Sequence, residues 1–256
     1  MREEKNGRLP TAEGHEIAWK RIEGNGPTVV WLGGFHSDMA GTKAEFLAQW
    51  AREHGQSYIR FDYFGHGESS GDFANGTISR WRQDCLDILD QLIDGPVVLV
   101  GSSMGGWMAS LLVQARPERI QGLVLIAPAP DFVTELMLPG FPAEAHEALA
   151  RDGVWMKPSE YDDGPYPITK SFLDDGARWR VLEAPIAFEG PVRILHGGQD
   201  VDVPVAHGLR LMGTLTSADC IFHLIKSGDH RLSKPHELRQ LQVALEDVLD
   251  ACHEPR

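Results

Sequence analysis

Residues 96–109 read PVVLVGSSMGGWMA, and this stretch decides the fold. An apolar run that ends at a small-residue turn and passes directly into a helix predicts a buried strand followed by a crossover helix. The turn, GSSMG at 101–105, fits the pattern G-x-S-x-G. A serine on so tight a turn needs small neighbours two residues to either side, so that the two chain segments can pass each other. Ser103 meets this condition and Ser102, which has Met104 two residues on, does not. Ser103 is therefore the candidate nucleophile.

The same rhythm of apolar run, turn and amphipathic helix recurs along the chain. It predicts an α/β fold with a mostly parallel sheet flanked by helices. Amphipathic helices are expected near 43–54, from an N-cap at Ser79, after the turn at Ser103, after Pro204 and at the end of the chain. The predicted strands are 28–32, 57–61, 96–101, 123–126, 192–196 and 221–225, with 15–22 as an antiparallel edge strand.

Residues 129–190 break this rhythm. They are rich in proline and acidic residues, and their apolar residues follow no clear strand pattern. Because a structureless insertion of that length is uncommon in a compact domain, the stretch predicts a mostly helical cap. Phe132, Leu136 and Met137 are candidates to line an acyl pocket, although ordinary packing within the cap explains them equally well. We expect residues 1–256 to form a single domain with this cap inserted.

A serine hydroxyl becomes nucleophilic only when a base takes its proton. In enzymes with such a turn, an acid and then a histidine follow the serine along the chain, each on a loop after a strand. Asp200 and His230 occupy such loops. His207 is a weaker rival because it lies inside the helix after Pro204. Asp202 lies on the same loop as Asp200, but its place just ahead of that proline favours a helix-capping role.

Acyl transfer also needs hydrogen-bond donors for the negative charge that develops on the carbonyl oxygen. The backbone N–H of Met104, directly after the candidate nucleophile, is one candidate. The loop after the first parallel strand reads GGF at 33–35, and the N–H of Phe35 is the second. The alternative interpretation is that these glycines only form a turn.

The segment DYFGHGES at 62–69 has the residue types of a catalytic site, but His66 precedes the serine along the chain, which is the wrong order for the base. We expect Asp62 and His66 to brace a glycine-rich loop under the site through side-chain-to-backbone hydrogen bonds. Histidine, cysteine and aspartate show no metal-ligand spacing, and neither a P-loop nor G-x-G-x-x-G is present. We therefore expect no metal and no cofactor.

Charge and cysteine content limit the classes of partner. The 256 residues include 37 acidic and 24 basic side chains, giving a net charge of −13, which disfavours binding to nucleic acid. The three cysteines form no C-x-x-C pair, so neither a disulfide framework nor a structural zinc site is expected. The first 14 residues contain no apolar run, so we expect no signal peptide, no membrane span and a cytoplasmic location.

With these residues in view, the chain resembles esterases and thioesterases of the α/β-hydrolase fold. The general marks are DYFGHGES at 62–69, GSSMGG at 101–106, LHGGQDVDVP at 195–204 and GDHRL at 228–232. WLGGFHSDMAGTKA at 31–44 and ITKSFLDDG at 168–176 resemble a narrower branch, that of the mitochondrial acyl-protein thioesterase and acyl-glucuronide esterase with its bacterial relatives. The resemblance implies Ser103, Asp200 and His230 as a catalytic triad beneath a small cap.

We therefore expect a serine hydrolase that cleaves carboxylic esters or thioesters through an acyl-enzyme intermediate. Its substrate would be a small acyl ester or thioester, with an S-acylated protein among the candidates. Relatives that open epoxides or remove halogens carry aspartate at the position of Ser103, which argues against those reactions. Peptidase, C–C bond hydrolase and perhydrolase activity stay open alternatives, as does a non-catalytic binding module on the same scaffold.

Overall fold

A computed structural model describes residues 3–158 and 164–253. Its regular elements, in chain order, are β1 Glu4–Pro10, β2 Glu16–Ile22, β3 Asn25–Leu32, α1 Thr42–His54, β4 Gln56–Phe61, α2 Ile78–Leu92, β5 Val97–Ser102, α3 Met104–Ala115, β6 Ile120–Ile126, α4 Ala143–Asp152, β7 Val154–Lys157, β8 Tyr166–Thr169, α5 Lys170–Gly176, β9 Val192–Gly197, α6 Val205–Thr214, β10 Cys220–Ile225 and α7 Pro235–His253.

Eight strands form one sheet in the order β1-β2-β4-β3-β5-β6-β9-β10. The six strands from β4 to β10 run parallel, while β1 and β2 extend the sheet antiparallel. Parallel strands need crossover connections, and their helices cover both faces of the sheet. The predicted mostly parallel sheet flanked by helices is confirmed.

Each face of the sheet contributes to a separate apolar core. Val98 and Val100 of β5 pack with residues of α1 and α7, whereas Val97 and Leu99 pack with residues of α2 and α3. Because successive side chains of a strand point to opposite faces, a strand covered on both sides is apolar throughout, as β5 is. The central strands are thus fixed from both faces, and their carboxyl ends give a rigid base for the loops that follow.

Two expectations about local structure are wrong. Residues 16–22 do form the expected antiparallel strand, β2, but it is not at the edge, because β1 lies outside it and pairs with it over its whole length. The sequence of β1, EKNGRLP, has no apolar run from which a strand could have been predicted. Ser79 does not cap α2 either. Thr77 does so, its side chain accepting the N–H of Arg80, while Ser79 donates its N–H and its hydroxyl to Asp175.

The chain between β6 and β9 is more varied than a mostly helical cap. It holds α4, α5 and a short π-helical turn at Val133–Met137, but also β7 and β8, which pair as a two-stranded antiparallel sheet. The limits 129–190 for a cap, and a single domain over 1–256, stay predictions. Within the described ranges, no helix combines the length and apolar character needed to cross a bilayer.

The two edges of the sheet differ in the residues that they expose. At one edge, β1 carries mostly polar residues and ends at Pro10. At the other edge, β10 leaves Ile221 and Leu224 exposed to 43% and 54%. The three cysteines are free thiols.

Candidate active site

Ser103 lies at the sharp turn between β5 and α3. Its backbone has φ 54° and ψ −115°, a strained conformation for a residue with a side chain. A Cβ on Gly101 would come within 2.4 Å of the Gly105 carbonyl oxygen, and one on Gly105 within 2.0 Å of the Leu32 carbonyl oxygen. Neither position can carry a side chain, which is the steric condition inferred from the sequence. The turn leaves the Ser103 hydroxyl at the carboxyl end of the sheet.

His230 and Asp200 meet Ser103 in a chain of hydrogen bonds. The His230 Nε2 atom lies 3.1 Å from the Ser103 hydroxyl oxygen, and Nδ1 lies 2.8 Å from Asp200 Oδ2. Because a carboxylate only accepts, Nδ1 carries the proton and the lone pair on Nε2 faces the serine hydroxyl. The three residues, taken from loops after β5, β9 and β10, thus stand in the arrangement of nucleophile, base and orienting acid.

Asp200 is held as a carboxylate by its partners. Burial raises the pKa of this group, but the hydrogen bond from His230 and the N–H of Val203 outweigh that effect, so the pKa lies below its ordinary value. The other oxygen, Oδ1, accepts the N–H groups of Asp202 and Val203 at 3.0 and 2.8 Å. Asp200 therefore fixes its own loop as well as the imidazole.

The two alternative candidates for the base and the acid are His207 and Asp202. His207, in α6, bonds through Nε2 to the Pro130 carbonyl at 2.7 Å. Asp202 does not cap α6, since that helix begins after Pro204 without a capping side chain. Its carboxylate instead lies beside Asp200 and His230, with the potential ligand atoms of all three within 4.8 Å of one another. This cluster could not be predicted from spacing along the sequence, because His230 is remote from the two aspartates along the chain.

The loop after β3 packs directly on the turn at Ser103. A Cβ on Gly34 would lie 3.5 Å from both the Ser103 Cβ and the Ser102 carbonyl oxygen. Phe35, the next residue, lines the same cleft as Ser103, and Met104 opens the first turn of α3. Both backbone amides therefore belong to the two segments that flank the nucleophile, and their oxyanion role stays a prediction.

Asp62 and His66 hold this loop from below. The Nδ1–H of His66 donates to the Phe64 carbonyl at 3.1 Å, which leaves Nε2 to accept the His36 N–H at 3.2 Å. Burial lowers the pKa of His66 to about 4, so the ring stays neutral near neutral pH. The two oxygens of Asp62 accept backbone N–H groups of Met39 and Glu68. These are the side-chain-to-backbone bonds that the sequence predicted.

A cleft of about 730 Å³ opens above Ser103 and His230. Phe132, Leu136 and Met137 are not among the residues that line it, contrary to the predicted acyl pocket. Phe132 is instead packed into an aromatic cluster, its ring 5.6 Å from that of Phe35 and 5.5 Å from that of Trp107. The apolar wall consists of other residues: Trp31, Phe35, Pro158, Tyr166 and Val201.

Several polar residues of the cleft had no signal in the sequence analysis. Lys157, at the end of β7, places its ammonium 5.8 Å from the centre of the Tyr166 ring. Lys43, in the first turn of α1, donates a hydrogen bond to the backbone carbonyl of Arg231. Lys43 lies within the stretch 31–44 quoted above, but that pattern assigns no role to it, and Lys157 belongs to no quoted motif. Only the packing of remote elements brings the two lysines to the cleft.

The family follows from a comparison of the whole chain with known proteins. Residues 29–249 match the model of a family described as the alpha/beta hydrolase family. The chain belongs to the alpha/beta hydrolase family. Its mostly parallel sheet flanked by helices is the fold that the resemblance implied.

Curated and solved relatives of this alpha/beta hydrolase cover nearly the whole chain. The mitochondrial palmitoyl-protein thioesterase ABHD10 of Rattus norvegicus is 36% identical over 91% of this chain and 79% of its own length. A protein from Agrobacterium vitis S4 with a solved crystal structure matches this chain with a TM-score of 0.93 and 38% identity. The match covers 97% of this chain and 100% of the Agrobacterium chain. The structure of alpha/beta hydrolase domain-containing protein 10 from mouse has a TM-score of 0.88 and 35% identity, over 96% and 98% of the two chains.

The expected cytoplasmic location is wrong by this comparison. The rat relative is named as a mitochondrial protein, and so are its counterparts from Mus musculus, Bos taurus and Homo sapiens. The expectation rested on the composition of the first residues, and that composition does not decide the compartment.

Proposed function

We propose that this alpha/beta hydrolase cleaves carboxylic esters or thioesters with Ser103 as nucleophile, through an acyl-enzyme intermediate. One observation carries the proposal: the hydrogen-bonded chain from Ser103 through His230 to the buried carboxylate of Asp200, at the base of an open cleft. A buried carboxylate bonded to Nδ1 fixes the tautomer and stabilises the imidazolium that forms during turnover.

In the proposed reaction the Ser103 oxygen attacks the acyl carbon while His230 Nε2 takes the hydroxyl proton. The carbonyl oxygen becomes an oxyanion, which the N–H groups of Phe35 and Met104 stabilise. Collapse of this intermediate expels the alkoxide or thiolate, which receives the proton from the imidazolium. A water molecule then gives its proton to His230 and attacks the acyl-enzyme, releasing the carboxylic acid and restoring the serine hydroxyl.

Thioesters belong among the proposed substrates because relatives at 36% identity are named palmitoyl-protein thioesterases. A thiolate is a good leaving group, so a site that can form the tetrahedral intermediate of an ester can also cleave a thioester. An S-acylated cysteine of a protein is a candidate substrate on the same ground. Peptidases, C–C bond hydrolases and perhydrolases use the same triad, so the substrate itself must be tested.

The test is a panel of p-nitrophenyl esters and S-acyl thioesters, from acetyl to palmitoyl, combined with labelling by a fluorophosphonate. We expect turnover of at least one series and labelling of Ser103, with Ser103→Ala as the matched control. Labelling without turnover of any ester or thioester would favour another serine-dependent reaction. Absence of both would favour a non-catalytic binding module.

A further inference from the structure

Lys43 lies in the wall of the cleft, yet the reaction described above gives it no part. Its ammonium donates a hydrogen bond to the backbone carbonyl of Arg231, a residue 188 positions away along the chain. Arg231 directly follows His230. Lys43 thus joins α1 to the loop that carries the proposed base.

The loop around His230 needs such support because its backbone is strained. Leu232 has φ +45°, in the left-handed region that residues with a side chain rarely adopt. A conformation of this kind persists only where its surroundings hold it. Asp229 Oδ1 accepts the N–H groups of Arg231 and Leu232 at 3.0 and 3.1 Å, and the Ser233 hydroxyl donates to the Arg231 carbonyl at 3.0 Å. Three of the four contacts on this loop are made within 229–233, and only the one from Lys43 comes from another element.

The ammonium of Lys43 is partly buried, which lowers the stability of the folded protein. The pKa of Lys43 is lowered to about 8, mainly by burial and in smaller part by the charge of Arg231, while the charges of Asp229 and Glu237 oppose the shift. Between pH 8 and 10.5 the unfolded chain keeps this proton and the folded chain releases it, so stability rises with pH over that interval. Near neutral pH the folded protein therefore carries the cost of a partly buried ammonium.

We propose that Lys43 is a positioning residue for the base. Its hydrogen bond to the Arg231 carbonyl fixes the loop so that His230 Nε2 stays in line with the Ser103 hydroxyl. This inference rests on the proposed serine hydrolase function. The two reacting atoms lie 3.1 Å apart, and a displacement of about 1 Å at such a contact lowers the rate by about 100-fold.

The test compares Lys43→Met and Lys43→Arg with a matched control, Lys234→Met. Lys234 is exposed and lies 3.8 Å from Asp229 and 3.7 Å from Glu237, so it shares two of the acids that face Lys43. In Lys43→Met we expect kcat to fall by about 10- to 100-fold while KM changes by less than about twofold. The thermal midpoint should be unchanged or higher, because the buried charge is removed.

Lys43→Arg should recover most of the lost kcat, since a guanidinium still donates to a carbonyl. Lys234→Met should leave kcat, KM and the thermal midpoint unchanged. The inference is overturned if Lys43→Met turns over at the rate of Lys234→Met, or if its kcat and thermal midpoint fall together and arginine restores neither. Failure of the proposed function would look different, because all four proteins, the wild type included, would then lack turnover.

Discussion

At the scale of single residues, the two neighbouring aspartates of one loop can be separated by experiment. Asp200 bonds to His230 Nδ1, whereas Asp202 lies in the lining of the cleft. Asp200→Asn should lower kcat by about 10⁴-fold, because an amide donor at that position favours the wrong imidazole tautomer. Asp202→Asn should leave kcat within about tenfold of the wild type, since it takes no part in the proposed triad. Steady-state kinetics of both variants, with thermal midpoints as a check on folding, distinguish the two carboxylates. A collapse of turnover confined to the Asp202 variant would contradict the assignment.

Ser103 is the residue on which the proposed chemistry depends most directly. Ser103→Ala should reduce kcat by about 10⁴- to 10⁶-fold and abolish fluorophosphonate labelling, because the acyl-enzyme cannot form. The strained backbone of Ser103 is unchanged by this substitution, so the thermal midpoint should stay near that of the wild type. Mass spectrometry of the labelled peptide checks the site. A label on Ser102 would contradict the assignment of Ser103 as the nucleophile.

The loop after β3, which carries the proposed oxyanion donor Phe35, gives a further test at this scale through His66. His66→Phe keeps an aromatic ring in the buried position but leaves the His36 N–H without its acceptor. If that bond orients the Phe35 amide, kcat should fall by about 10- to 100-fold, and a tetrahedral boronate inhibitor should bind more weakly by a similar factor. Unchanged boronate affinity in a folded variant would assign His66 to stability alone.

The residues of the proposed site and its surroundings differ in how well the sequence predicts their positions. Ser103, Asp200 and His230 each follow a predicted strand, and the functional groups of an open α/β sheet gather at the carboxyl ends of its strands. Lys43 has no such signal, because its contact with Arg231 depends on how α1 is placed against a loop that is remote along the chain. The proline two residues after Asp202 predicts a helix cap, but α6 begins after Pro204 without a capping side chain. Asp202 lies beside Asp200 and His230 instead.

At the scale of elements, the sheet of β7 and β8 lies within the stretch for which a mostly helical cap is expected, and it contributes Lys157 and Tyr166 to the cleft lining. Tyr166→Ala removes an apolar side chain from the cleft lining and should change the order of kcat/KM across acyl chain lengths. A parallel shift of all substrates, with their order unchanged, would contradict a role for this sheet in specificity.

Phe132 should behave in the opposite way. Its side chain is 9% exposed and packs among aromatic rings rather than in the cleft. Phe132→Ala should therefore lower the free energy of unfolding by about 3–5 kcal/mol while leaving the order of substrates unchanged. Denaturant unfolding and the same substrate panel provide the two measurements. The sequence could not separate these two residues, because the apolar residues of 129–190 show no period that reports which face is inward.

At the scale of the whole molecule, the sheet was predictable where both of its faces are buried. A doubly covered strand contains a run of apolar residues, so β3, β5, β6 and β9 could be predicted from the sequence. The polar strand β1 did not, because its stability comes from pairing with β2 and not from burial. Two loops of the proposed site, those of Ser103 and Asp200, follow the doubly covered strands β5 and β9, whereas the loop of His230 follows the edge strand β10.

The open edge at β10 bears on how the protein behaves in solution. A flat apolar edge is a template for pairing with another chain, and natural proteins protect such edges with charge or proline, as β1 does. On β10 Ile221 and Leu224 are exposed, and the strand, CIFHLI, contains no proline, lysine, arginine or acidic residue. We therefore expect repulsion between molecules of net charge −13 to oppose association at this edge. Because salt screens this repulsion, light scattering should increase with ionic strength, and less so for Ile221→Lys. Equal scattering from both proteins would locate the aggregation-prone surface elsewhere. A storage buffer for this hydrolase should accordingly be low in salt, with a pH well above the isoelectric point of about 5.2 that the amino-acid composition gives.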